Sequence, residues 1–131
     1  MDADGPLWRT ALRESEEELG VPAAAVEALG YLDTVRVNHS GFLVAPVVGL
    51  LRGSFAPRLQ LEEVEESFWL PLLDRSGRVR IEQQPKPLGE GPVEVPGYLF
   101  EGHFIWGVTG LILDDLRRRL GAATSRPETL S

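Results

Sequence analysis

Ala11-Leu12-Arg13-Glu14-Ser15-Glu16-Glu17-Glu18-Leu19-Gly20-Val21 is the stretch on which the rest of the chain turns. Wound as a helix at about 100° per residue from Trp8, it separates into distinct flanks. Trp8, Ala11, Leu12, Ser15 and Leu19 share a sector of roughly 100°, an apolar or small face suited to packing on a core. Glu14, Glu17 and Glu18, spaced i, i+3, i+4, gather on another flank, whereas Glu16 and Arg13 point away from them. Carboxylates held side by side repel one another, and a hard divalent cation with oxygen ligands would relieve that repulsion. The competing reading is a solvated glutamate face on a good helix former.

Composition narrows the functional class. The chain has 131 residues, 43% hydrophobic and 25% charged, with a net charge of −7. That is a single domain's length with an ordinary soluble mix. The acidic balance argues against non-specific nucleic-acid binding, which needs a basic face. It also means that a polyanionic substrate needs a cation or local arginines to approach. No cysteine is present, so disulfides, zinc-thiolate sites and thiol nucleophiles are excluded. No run reaches the ~18 apolar residues of a membrane span, and the start is acidic, so the expectation is a cytoplasmic protein without membrane partners.

Along the chain, Asp4 is the expected N-cap of the first helix, with Pro6 in its first turn and Gly20 as its stop. A short helical patch is expected at Ala23–Ala28, then strands over Tyr31–Val37 and Phe42–Leu51. The second of these is almost continuously apolar and reads as covered on both faces, with a bulge or a partly unpaired position at Pro46. Further strands are expected over Ser67–Leu72, Arg78–Glu82 and Tyr98–Ile105. Gln83–Pro96, with Pro85, Pro87, Pro92, Pro96, Gly89 and Gly91, reads as a long loop. Val108, Leu111, Ile112, Asp115, Leu116 and Leu120 set up a terminal helix with Arg117-Arg118-Arg119 in its last turn. Residues 123–131 read as a disordered tail.

Arg13-Glu14-Ser15-Glu16-Glu17-Glu18-Leu19-Gly20-Val21 resembles the second half of the Nudix box, in which Arg-Glu is followed by Glu-Glu, a glycine and an aliphatic at fixed spacing. Ser15, at a position usually hydrophobic, is the weak fit. Ser40-Gly41-Phe42 with Val44–Gly49, Glu63–Phe68 with Leu70-Pro71-Leu72, and Ile105–Gly110 resemble the coenzyme A pyrophosphatase branch of that superfamily. The resemblance implies an α/β/α sandwich with a mixed sheet over residues 1–122, the Nudix helix lying at 6–20. It also implies Mg²⁺ or Mn²⁺ held by Glu14, Glu17 and Glu18, with Arg13 orienting one of the glutamates. Glu63 is the candidate general base, and Glu66 a second one. His39, His103, Trp69 and Trp106 read as structural. The implied reaction splits coenzyme A or a derivative into 4′-phosphopantetheine and adenosine 3′,5′-bisphosphate.

The box departs from its pattern at its start. Gly5 stands where another glutamate is usual, and the glycine loop and N-terminal strands are missing from the expected fold. Two alternatives therefore stand beside coenzyme A hydrolysis: the same chemistry on an ADP-sugar or dinucleotide, or an inactive remnant that binds a partner. The open sheet edge that such a fold would leave invites a homodimer.

Overall fold

A computed structural model describes residues 5–37, 41–62, 66–74 and 76–123. It has the mixed α/β make-up expected of a Nudix fold. The elements in order are α1 (Pro6–Leu19), a 3₁₀ turn (Ala23–Ala25), β1 (Val26–Tyr31), β2 (Val35–Arg36), β3 (Leu43–Val44), β4 (Val47–Leu51), β5 (Arg80–Leu88), β6 (Gly91–Phe100), β7 (His103–Ile105) and α2 (Gly107–Ala123). The described strands pair antiparallel, as β1–β4, β2–β3 and β5–β6–β7. The chain forms two compact units, one built on α1, β1 and β4, the other on β2, β3, β5–β7 and α2. No described helix is long and apolar enough to cross a membrane. The tail from Thr124 lies outside the described residues.

In the first unit, Trp8 of α1 is 5% exposed and lies on β4 where Gly49 leaves room. A Cβ at Gly49 would sit 2.6 Å from Val26 Cγ1 and 2.8 Å from Trp8 Cη2. Beside this contact lies an apolar cavity of about 310 Å³, whose walls include Leu12, Ser15, Leu19, Val26, Val47 and Trp69. The expected helical patch is only a 3₁₀ turn at Ala23–Ala25, after which β1 begins at Val26. The first strand is thus earlier than the Tyr31–Val37 expectation, whose span holds only β2 beyond Tyr31. Phe42–Leu51 is not one covered strand either. It divides at Ala45-Pro46, because Pro46 has no N–H for a ladder; its carbonyl instead accepts from Leu32 N at 3.1 Å. Phe42 and Leu43 are 72% and 61% exposed. The register shift falls across the sheet, between Ala28 and Gly30. Ser67–Leu72 forms no strand; Trp69 instead meets Phe55 edge-on at 6.2 Å.

The second unit overturns the long-loop expectation. Gln83–Pro96 belongs to a β5–β6 hairpin, paired residue for residue from Arg80↔Leu99 to Leu88↔Gly91. Gly89, at φ 82°, opens the two-residue turn, and Glu101-Gly102, at φ 48° and 83°, makes the next one. In a two-residue hairpin the closing pair is hydrogen-bonded, and the pairs alternate from there. Pro87↔Pro92, Pro85↔Glu94 and Gln83↔Pro96 then all fall in the class that exchanges no hydrogen bonds. Each proline nitrogen points outward, so the ladder between β5 and β6 loses nothing.

The core of this unit is Val79, Tyr98, Phe100 and Leu113, with Leu70, Leu72 and Ile105 packed against it. Gly97 admits the Phe104 ring, since a Cβ there would lie 2.6 Å from it. Lys86 covers the same ring at 5.2 Å and Trp106 at 5.3 Å. On α2 the most buried face includes charged residues beyond the expected apolar stripe, while Leu111 is exposed. The Tyr98 hydroxyl donates to Asp114 Oδ1 at 2.8 Å, and the Arg117 guanidinium lies over the Tyr98 ring at 4.7 Å. Arg117 Nε donates to the Leu72 carbonyl at 3.0 Å. Arg118 and Arg119 pair with Asp114 and Asp115 one turn back, at 3.0 and 2.8 Å. The arginines therefore sit ahead of the last turn and answer buried carboxylates rather than the helix dipole.

Asp74 lies in the segment leading into β5. Its Oδ1 accepts from the Ser76 hydroxyl at 2.7 Å and its Oδ2 from the Arg78 amide at 3.1 Å. The Ser76 hydroxyl above all, with the Ser76 amide and Arg78, lowers the carboxyl pKa from 3.8 to about 2. A depressed carboxyl stabilises the fold above its unfolded pKa and loses that contribution as pH falls through the folded one. The turn should therefore hold above about pH 4 and loosen towards pH 2. Carboxyl NMR should place the Asp74 midpoint near 2, and Asp74→Asn should flatten this part of the acid titration. A midpoint at the ordinary aspartate value would refute the assignment.

Candidate functional site

The site candidate is the outward side of α1. Gly5 is the N-cap and supplies no side-chain hydrogen bond, with Pro6 at the first helical position. The expected cap, Asp4, lies outside the described residues. At the other end Gly20 adopts φ 74°, and the Gly20 and Val21 amides donate to the Glu16 and Ser15 carbonyls at 2.9 and 3.3 Å. This is the left-handed glycine stop that the sequence implies. The last carbonyls of the helix find partners in a segment remote in sequence: Arg58 N donates to Leu19 O at 2.9 Å and Gln60 N to Glu18 O at 2.8 Å. A Cβ on residue 20 would meet Arg58 Cβ at 3.3 Å and Arg58 Nε at 3.5 Å, so the glycine also lets this segment cross the helix end.

Ala11, Leu12, Ser15 and Leu19 face the apolar cavity beside Trp8. The opposite side carries Arg13, Glu14 and Glu17, all exposed, and Glu18, half-buried. Glu18 is the more covered because it stands only about 20° around the helix from Ala11. Glu16 and Glu17 share an open cleft of about 260 Å³ with Gly20, Arg58, Leu59 and Gln60. Glu63 lies outside the described residues, as does His39. Glu66 is exposed. His103 lies in β7, and Trp69 and Trp106 are engaged in the packing described above.

Carboxylate oxygens on one helix flank are the donor chemistry that Mg²⁺ and Mn²⁺ take. Glu14, Glu17 and Glu18 fit such an ion by donor type. Among the described residues, however, no three acidic or histidine side chains are gathered into a metal-sized cluster. Sequence reasoning missed Arg58. Pro57-Arg58-Leu59 has no motif or periodicity to single it out, and only its pairing across the helix end brings it beside Glu17.

No family model matches the chain, and no solved structure matches it. Curated sequences do. The chain is 37% identical over 119 residues to an uncharacterised Nudix hydrolase, NudL, of Yersinia enterocolitica, covering 89% of this chain and 60% of that protein. It is 32% identical over 123 residues to NudL of Klebsiella pneumoniae, covering 92% and 62%. The Salmonella paratyphi B NudL is 34% identical over 120 residues, covering 90% and 61%. The chain thus spans about three fifths of the curated relatives it matches. The α/β make-up, and a glutamate-bearing helix ending on a left-handed glycine, accompany this similarity to proteins named as Nudix hydrolases.

Proposed function

We propose that the chain carries the metal-binding helix of a pyrophosphohydrolase that splits coenzyme A, or a derivative, into 4′-phosphopantetheine and adenosine 3′,5′-bisphosphate. The single observation that carries this is the ordered run Arg13–Val21 on α1, its apolar side packed and its glutamates turned outward. Glu14, Glu17 and Glu18 hold Mg²⁺ or Mn²⁺ in this reading, and Arg13 orients one of them. A bound divalent ion neutralises diphosphate charge and lowers the pKa of a water. The chain's own contribution is to fix the carboxylates along one rigid helix, so that little ordering remains when ligand arrives. Glu63 or Glu66 takes the proton from the attacking water. The reaction is a cytosolic one on a small molecule.

Coenzyme A is favoured by the downstream resemblance, notably Ile105-Trp106-Gly107. Gly107 enters α2 at φ 66°, a backbone that side-chain-bearing residues rarely adopt. One observation favours a second reading, an inactive binding module. Gly5, at the position where the box usually has another glutamate, is a buried N-cap that offers no carboxylate.

The test is to incubate the protein with coenzyme A, ADP-ribose and diadenosine polyphosphates with Mg²⁺ or Mn²⁺, and to resolve products by chromatography. Coenzyme A should be consumed to its two halves, and chelation of the metal should stop the reaction. Turnover of ADP-ribose alone would move the assignment to another nucleoside diphosphate. No turnover of any substrate would favour the binding module.

A further inference from the structure

We infer that Arg58 is the cation that receives the substrate's diphosphate beside the α1 carboxylates. The inference rests on the diphosphate-hydrolase reading and adds a residue to it. A diphosphate nearing the end of α1 meets Glu14, Glu16, Glu17 and Glu18 together with the negative end of the helix dipole, in a chain of net charge −7. A metal ion offsets part of that field. The remainder calls for a fixed positive charge close by, and Arg58 is the basic residue lining the cleft that holds Glu16 and Glu17.

Three features suit Arg58 to this role. Its backbone is pinned, since its own amide and that of Gln60 are bonded to the last α1 carbonyls at 2.9 and 2.8 Å. Those bonds also withdraw two carbonyl oxygens that would otherwise repel an anion. Its side chain lies across the glycine stop, with Nε only 3.5 Å from where a Gly20 Cβ would stand. Among the described residues, its guanidinium is committed to no hydrogen bond or ion pair, and Glu16 and Glu17 have none either. An arginine next to two carboxylates, yet bonded to neither, keeps its planar fork of donors for a ligand, and that fork matches phosphate oxygens two at a time.

The experiment titrates the full chain with α,β-methylene-ADP, a diphosphate that cannot be hydrolysed at its bridge, in the presence of Mn²⁺. Arg58→Ala should weaken its binding about tenfold or more, the loss of one charge-assisted hydrogen-bond pair. Arg58→Lys should recover part of that loss, because charge returns without the fork. Mn²⁺ binding alone and the melting transition should be unchanged in both variants. With coenzyme A as substrate, Arg58→Ala should raise KM more than it lowers kcat. Unchanged diphosphate affinity in Arg58→Ala, with the wild-type chain still binding or hydrolysing, would overturn the role of Arg58 alone. A wild-type chain that neither binds the analogue with Mn²⁺ nor turns over any diphosphate would overturn this inference and the hydrolase reading together.

Discussion

Glu17→Gln should lower diphosphate turnover on the order of a thousandfold while leaving the melting transition in place. The two side chains share length and helix propensity, so the substitution removes charge and little else. Glu17 is exposed and has no described partner, so nothing in the fold is left unpaired when its carboxylate becomes an amide. The loss then reports on the ion, whose stabilisation of phosphoryl charge is worth several kcal/mol. Raising the Mn²⁺ concentration should restore part of the rate if the main damage is to metal affinity. Turnover equal to wild type would remove Glu17 from the ligand set. Glu16→Gln is the matched comparison: it shares the cleft but lies off the flank of the other three, and its effect should be small.

Trp8→Ala should destabilise the first unit by about 3–5 kcal/mol. That is a large share of the roughly 5–15 kcal/mol that holds a domain of this kind together. The loss has two parts. The indole is almost wholly buried at 5% exposure, so the variant forfeits the stabilisation gained when folding takes that apolar area out of water. The vacated volume also adjoins the existing cavity of about 310 Å³, and packing that already has a gap recloses poorly. Far-ultraviolet circular dichroism is the suitable readout, because loss of an indole changes fluorescence whether or not the protein melts. A melt within about 1 kcal/mol of wild type would mean that Trp8 does not anchor α1. The same variant ties packing to chemistry, since a helix released from β4 no longer holds its glutamates in register.

Residue patterns legible in the sequence are those whose physics is local. The 3.6-residue rhythm of Trp8, Leu12, Ser15 and Leu19, closed by Gly20, needs no knowledge of distant partners to be read as a helix. The β5–β6 hairpin has the opposite character. Proline and glycine ordinarily punctuate loops, and Pro85, Pro87, Pro92 and Pro96 are harmless to pairing only in one register, which the sequence does not display. The α2 face was partly hidden for a related reason. Asp114 and Arg117 are hydrophilic on any scale, yet Tyr98 and the Leu72 carbonyl make them tolerable inside. Pro46 was visible as an interruption, but that β3 and β4 pair with different strands follows from long-range bonding alone. At the site, the glutamates were readable by spacing, whereas Arg58 reaches them through backbone bonds spanning some forty residues of chain, from Leu19 to Arg58.

The outward-pointing prolines of the hairpin carry a consequence for isotope labelling. Amide positions on an open strand edge normally take up deuterium quickly, because water reaches them without any opening of the ladder. Here many of those positions have no amide at all. Along the two arms of the hairpin Ile81, Gln83 and Glu94 are left to exchange outward, with Gly89 and Glu90 in the turn, while Arg80, Glu82, Gln84, Lys86, Val93 and Val95 face the partner strand. Deuterium uptake over 80–97 should therefore be low for an arm whose side chains are so largely exposed. A slow-exchanging peptide in this region would mark where its missing hydrogens are, and would be no sign of burial.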